Sequence, residues 1–166
     1  LRDKAEAVRT VAEVEKAVLR YLLATLVINV VQGAVIGLVL WALGVPGWWM
    51  WGLITVVVEF IPYLGATVMI ALLLVVAFAS FDSLGRALAA PGSYLVITTL
   101  QNNVVSPYAY GTRLKLNPVA VLVGVMVWWA LWGVAGAFVA VPIVATLKIV
   151  ADRVEALKPL GEFLGE

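Results

Sequence analysis

Val56-Val57-Val58-Glu59-Phe60-Ile61-Pro62-Tyr63-Leu64-Gly65 is the stretch on which the fold turns. Residues 21–58 carry no charge, and the chain is uncharged again from 60 to 81. Runs of this length exceed the roughly 20 residues that cross a bilayer core of about 30 Å, so Glu59 reads as a carboxylate at membrane depth. A polar group there is expensive and is a functional-site hypothesis by default. Pro62 and Gly65 break the helix beside it, and backbone groups freed by such a break must face protein or a water-filled cavity. A lone acid next to a broken membrane helix is the local signature of a transport site.

Working outward, two further uncharged runs cover 87–112 and 116–147. With 64% hydrophobic residues and a mean hydropathy of +1.07, the chain reads as an all-α, polytopic membrane protein whose solvent is lipid. A net charge of +1 gives no electrostatic case for nucleic acid. The absence of Cys excludes disulfides and thiolate metal sites, and the absence of His removes the commonest general base and pH sensor. No metal centre and no cofactor are expected. Residues 1–20 alternate acids and bases and lack the apolar core of a signal peptide. A start at Leu1 suggests a fragment of a longer chain.

The order of elements is legible from breakers and lengths. Residues 1–20 form an amphipathic juxtamembrane helix, and 21–44 a full span. A tight turn comes next at Gly44-Val45-Pro46-Gly47. A short apolar arm covers 48–61 and returns over 66–80, making a helical hairpin broken at 62–65. A second long span covers 84–106. Asn117 caps a new helix that begins with Pro118, a favoured first residue. That helix breaks at 133–136 and returns to Lys148, kinked at Pro142, and 149–166 is a cytoplasmic tail. The pattern of long span and Gly/Pro-broken hairpin therefore occurs twice, over 21–80 and 84–148.

Parity then sets topology. A hairpin leaves the side of the membrane unchanged, so 1–20, the loop with Arg113 and Lys115, and the tail share one side. Arg86 is the one basic residue on the other. The positive-inside rule makes the first side cytoplasmic. The two units then enter from opposite faces, the inverted-topology plan of many secondary transporters. Trp41, Trp48, Trp49, Trp51, Trp128, Trp129 and Trp132 are expected in the outer half of the bilayer, with Tyr21, Tyr108 and Tyr110 marking the inner interface.

Glu59 shares a helical face with Gly52, Thr55 and the break at Pro62 and Tyr63. It could take and release a proton, hold Na⁺ with freed carbonyls, or simply bond the unwound backbone. Thr99, Asn102, Asn103 and Ser106 gather on the second long span with Gln101 adjacent, either as interhelical glue or as contacts for a solute or ion. Thr25, Asn29 and Gln32 form a comparable stripe on the first span. Gly33 and Gly37 match a small-xxx-small packing pattern.

Three stretches carry a resemblance. They are Glu59-Phe60-Ile61-Pro62-Tyr63-Leu64-Gly65; Gln101-Asn102-Asn103-Val104-Val105-Ser106-Pro107 followed by Gly111 and Leu116-Asn117-Pro118; and Leu131-Trp132-Gly133-Val134-Ala135-Gly136 followed by Val141-Pro142. In this order and spacing they resemble the autoinducer-2 exporter family, the PerM-like permeases, across almost the whole chain. Members usually carry further spans before this part, so the chain looks like the C-terminal half. The resemblance implies a multi-pass bacterial inner-membrane permease, with autoinducer-2 export and Na⁺(Li⁺)/H⁺ antiport among the family's assigned roles. Its motif residues here are Glu59, Pro62, Gly65, Asn103, Pro107, Gly133, Gly136 and Pro142. Asn102 departs from the family, where Gly is common.

The leading expectation is a secondary exporter of a small solute or a cation/proton antiporter. Access would alternate about a site built from Glu59, Thr55, Pro62, Tyr63, Gly65, Thr99, Asn102, Asn103, Gly133 and Gly136. Expected partners are the lipid bilayer, a small solute, Na⁺ or H⁺, and further copies of the chain in a homo-oligomer. The alternative is a passive oligomeric channel without ion coupling. An intramembrane enzyme is not expected. There is no His to activate a serine, and Asp3, Asp82 and Asp152 all fall outside the spans.

Overall fold

The computed structural model describes residues 2–110, 116–152 and 154–165. Gly111 and the expected basic loop at Arg113 and Lys115 lie outside the described residues. Helices account for most of the described chain: α1 (Arg2–Ala42), α2 (Trp48–Val58), α3 (Leu64–Ser80), α4 (Leu84–Leu100), a π-turn (Gln101–Val105), α5 (Ser106–Tyr110), α6 (Pro118–Ala151), a 3₁₀ turn (Glu155–Leu157) and α7 (Lys158–Leu164). Two of them contain segments long and apolar enough to cross a membrane, Glu15–Ala42 and Pro118–Ala151. The chain divides into two compact units, Thr25–Ala109 and a second formed by Leu1–Ala24 with Tyr110–Glu166.

In the first unit, α1 and α2 meet through glycine. A Cβ on Gly52 would stand 2.7 Å from the Gly33 carbonyl oxygen, and one on Gly33 would stand 2.5 Å from that of Gly52. Neither can carry a side chain at this separation, so the small-xxx-small pattern is a packing surface, as in other membrane helix pairs. The turn between the two helices uses Gly44 at φ 76° and Gly47 at φ 66°, and Trp51 Nε1 donates to the Pro46 carbonyl at 3.1 Å. On α3, Met69, Leu73 and Ala77 recur every four residues and are fully buried. Ala87, Ala90 and Tyr94 of α4 are buried in the same core. The small residues let α3 and α4 lie close together. Val30, Val31, Leu38, Leu53, Val75 and Phe78 point outward, the arrangement expected where lipid replaces water.

The α2–α3 hairpin breaks earlier than the expected 62–65. Regular α-helix ends at Val58, so Glu59 belongs to the turn. Phe60 N–H donates to Val57 and Ile61 N–H to Val58, both in the tighter three-residue pattern. Tyr63 then takes φ 62°, ψ −45°, with Leu64 N–H reaching the Pro62 carbonyl at 2.6 Å. This is a γ-turn of the rarer, strained kind. Gly65 is already helical. A Cβ there would strike the Val58 carbonyl, so only glycine lets α3 fold against the end of α2. The long span expected over 84–106 is interrupted by the π-turn, where Ser106 N–H bonds back to Gln101 instead of Asn102.

In the second unit, α6 is helical over most of its length but reverses within it. Gly133 sits at φ 61°, ψ −141°. A Cβ on Gly124 would meet the side chain of Val144, twenty positions on, and one on Gly136 would meet the Trp128 carbonyl. Twenty residues of straight helix would separate the first pair by about 30 Å, so the arms run back along each other. The expected break at 133–136 is therefore narrower: Gly133 makes the turn and Gly136 packs beneath it. Asn117 caps the first arm as expected, its Oδ1 accepting from Val119 N–H at 2.9 Å. The region expected to be the cytoplasmic tail carries the 3₁₀ turn and α7. Leu164 of α7 packs with Ala120 and Val144, and its carbonyl accepts from Asn117 N–H at 3.0 Å.

Candidate functional site

The Glu59 carboxylate gathers partners within the Thr25–Ala109 unit. Glu59 Oε1 accepts from Tyr94 Oη at 2.6 Å, from Thr98 Oγ1 at 3.4 Å and from Gln32 Nε2 at 3.4 Å. Gln32 Nε2 also donates to Thr98 Oγ1 at 2.9 Å. Gln32, Tyr94 and Thr98 are buried, whereas Glu59 is half-buried. Glu59 Oε2 takes no hydrogen bond among the described residues. One oxygen is thus clamped by donors from α1 and α4, and the other is available. Every donor is neutral.

The local sequence explains each position. Tyr94 and Thr98 are four apart on α4 and so share a face. Thr25, Asn29 and Gln32 share one face of α1 and are all buried, with Asn29 Nδ2 donating to the Val56 carbonyl at 3.3 Å. Because α2 stops at Val58, Glu59 emerges from the hairpin turn at the level of Gln32 on one side and Thr98 on the other. Several carbonyls of the break are already engaged. Those of Thr55, Val57, Val58, Ile61, Pro62 and Tyr63 all accept backbone N–H groups.

The other expected site residues fall in different places. Thr55 is buried below Glu59, but its hydroxyl bonds to the Trp51 carbonyl at 2.8 Å. Pro62 and Gly65 build the turn. Tyr63 is 57% exposed and points away from the protein. Thr99, Asn102 and Asn103 are exposed, and Asn103 Nδ2 bonds to the Thr99 carbonyl of its own helix at 2.8 Å. Gln101 Nε2 bonds to Ser106 Oγ at 2.8 Å. These amides form a second polar feature on the π-turn and share no hydrogen bond with Glu59. Gly133 and Gly136 belong to the other unit. Sequence reasoning missed Tyr94 and Thr98. The signal was present, since a Tyr and a Thr one turn apart in an apolar span need hydrogen-bond partners.

Known proteins resemble the chain over nearly all of its length. Residues 1–156 match the family described as AI-2E family transporter. The chain is 28% identical to the candidate transport protein YrrI of Bacillus subtilis over 78% of its own length and 36% of that protein. It is 26% identical to the AI-2 transport protein TqsA of Escherichia coli over 98% of its own length and 48% of that protein. A candidate transport protein of Mycobacterium tuberculosis is 31% identical over 75% of this chain and 34% of its own length. The chain spans about a third to a half of the length of these relatives.

Proposed function

We propose that this chain, which belongs to the AI-2E transporter family, forms the coupling half of an ion-driven exporter of a small polar solute. The observation that carries this reading is the half-clamped carboxylate. Glu59 sits in a helix break at membrane depth, with one oxygen held by three neutral donors and the other unbonded among the described residues. A charged group is retained in such a place at a penalty of roughly 2.5–3.5 kcal/mol even on lenient insertion scales, and a change of charge state is the chemistry it can offer. The neighbours are donors rather than converging carbonyls, which favours H⁺ over Na⁺ as the coupled ion. The name of the relative TqsA suggests an autoinducer-2-like solute, and cation/proton antiport is the companion reading.

The proposal extends to topology and assembly. The units 21–80 and 84–148 are inverted repeats, and access alternates between their hairpins. The protein lies in the bacterial inner membrane with both ends of this chain cytoplasmic, and it works as a homo-oligomer. Asn102 and Asn103, exposed at the π-turn, contact the solute. Those exposed amides, which do not titrate, also favour a second reading, a passive pore lined by broken helices.

The deciding experiment uses the full-length protein in sealed vesicles with an imposed pH gradient. Glu59→Gln keeps size and most hydrogen bonding but cannot titrate. The expected result is normal insertion, loss of gradient-driven accumulation and retained downhill exchange. Unchanged gradient-driven flux in Glu59→Gln overturns the coupled reading and leaves the pore.

A further inference from the structure

Gln32 is the most fully enclosed member of the Glu59 cluster with polar atoms to spare. It is 3% exposed. Its Nε2 serves Thr98 and Glu59, while its Oε1 is buried without a partner. A buried carbonyl without a donor is unfavourable, so the arrangement asks what the second half of the amide is for.

The charge state of Glu59 supplies a reason. An ionised carboxylate only accepts hydrogen bonds, and here it meets three donors. A protonated one becomes a donor as well, and with the proton on Oε1, the oxygen that Gln32 faces, the cluster has to offer it an acceptor. The Tyr94 and Thr98 hydroxyls already donate to Oε1. Gln32 Oε1 is a fully buried acceptor in the cluster that nothing uses. A half-turn of the terminal amide exchanges Nε2 and Oε1 within nearly the same volume, so no neighbouring side chain has to move. After the turn the carbonyl faces both the carboxylic acid and the Thr98 hydroxyl.

We propose that Gln32 is a positioning residue that follows the charge of Glu59, presenting Nε2 to the carboxylate and Oε1 to the carboxylic acid. One proton enters from water and remains on Glu59; none passes to Gln32, which stays neutral throughout. The titratable group facing Glu59 from α4 is Tyr94. From α1 the facing group is the uncharged Gln32, and α3 carries no titratable side chain. A polar pocket that reverses its own polarity lets the same site hold both charge states between the two access states. This inference rests on the proposed change of protonation at Glu59.

Infrared difference spectroscopy tests it on full-length protein in phosphatidylethanolamine/phosphatidylglycerol vesicles, switched between alkaline and acid buffer. The expected spectrum contains a carboxylic acid band that vanishes in Glu59→Gln. It also contains a side-chain amide carbonyl band that moves with ¹³C-glutamine labelling and vanishes in both Glu59→Gln and Gln32→Leu. Labelling the unaltered protein keeps the test decisive should Gln32→Leu fail to assemble, because the amide band must then still accompany the acid band. An acid band with no glutamine band overturns the switch and leaves the coupling role of Glu59 standing. Absence of the Glu59 acid band overturns both.

Discussion

Replacing Gly52 by alanine puts a methyl group 2.7 Å from the Gly33 carbonyl oxygen and 3.4 Å from the Gly37 Cα. Both are backbone atoms and cannot rotate aside, so α1 and α2 must part by about 0.5–1 Å to restore ordinary contact distances. Overpacking of this kind costs about 1–3 kcal/mol. Two hydrogen bonds across the same interface are already long, Asn29 to the Val56 carbonyl at 3.3 Å and Gln32 to Glu59 at 3.4 Å. Any parting breaks them, and each contributes about 0.5–1.5 kcal/mol. The expected loss for Gly52→Ala is therefore about 2–6 kcal/mol, together with weaker coupling because Glu59 loses its α1 donor. Gly37→Ala is the internal control. Its added Cβ would find Trp48 at 3.7 Å and the Gly52 Cα at 3.8 Å, which is ordinary packing. It should be neutral or gain up to about 1 kcal/mol from helix propensity. Reversible unfolding of the purified proteins in mixed micelles measures both. Equal stabilities within about 0.5 kcal/mol would refute the claim that carbonyl-to-glycine contact sets the approach of the two helices.

Three single-residue changes give further expected outcomes. Tyr63→Gly should raise stability by about 1 kcal/mol in the same unfolding assay, because it relieves a positive-φ γ-turn whose strain exceeds the added unfolded-state freedom. Gly136→Ala would drive a methyl group into the Trp128 carbonyl. A loss of about 3 kcal/mol is expected, read as reduced folded yield and a lower melting temperature. Asn117→Ala removes the bond from Val119 N–H and should cost about 1 kcal/mol, measured as earlier melting of the second unit by hydrogen exchange.

The breaks and caps were legible because each is signed by a residue with a fixed backbone habit. Pro62, Gly65, Gly133, Asn117 and Pro118 all act where the sequence puts them. Glu59 was legible because a charge has no neutral explanation at the centre of an apolar run. Its partners were harder to assign: Tyr94 and Thr98 announce a need for hydrogen bonds, but they lie 35 and 39 residues away and nothing local sets the register of α4 against the hairpin. The exposure of Asn102 and Asn103 was equally hidden. Their helix changes its winding at that point, and a wheel drawn at 3.6 residues per turn misplaces every later side chain. The helix at 158–164 escaped because distant packing, such as Gly161 against Asp152, supports it and no local signal marks it.

The change in winding also bears on how relatives should be aligned. Gln101 and Ser106 are five apart, and in an α-helix they would point about 140° away from each other. Their 2.8 Å side-chain bond exists because the π-turn holds one residue more than the α-turn it replaces. Pro107, which supplies no N–H, stands just beyond it. Deleting one residue between 101 and 105 would return the segment to α winding with Ser106 four residues after Gln101, about 40° from it around the helix axis, so Ser106, Pro107 and Tyr108 would keep their facing. A one-residue gap opposite Gln101–Val105 in a homologous sequence is then a geometric statement: the relative lacks the bulged residue, yet the serine and proline beyond it face the same way in the two proteins.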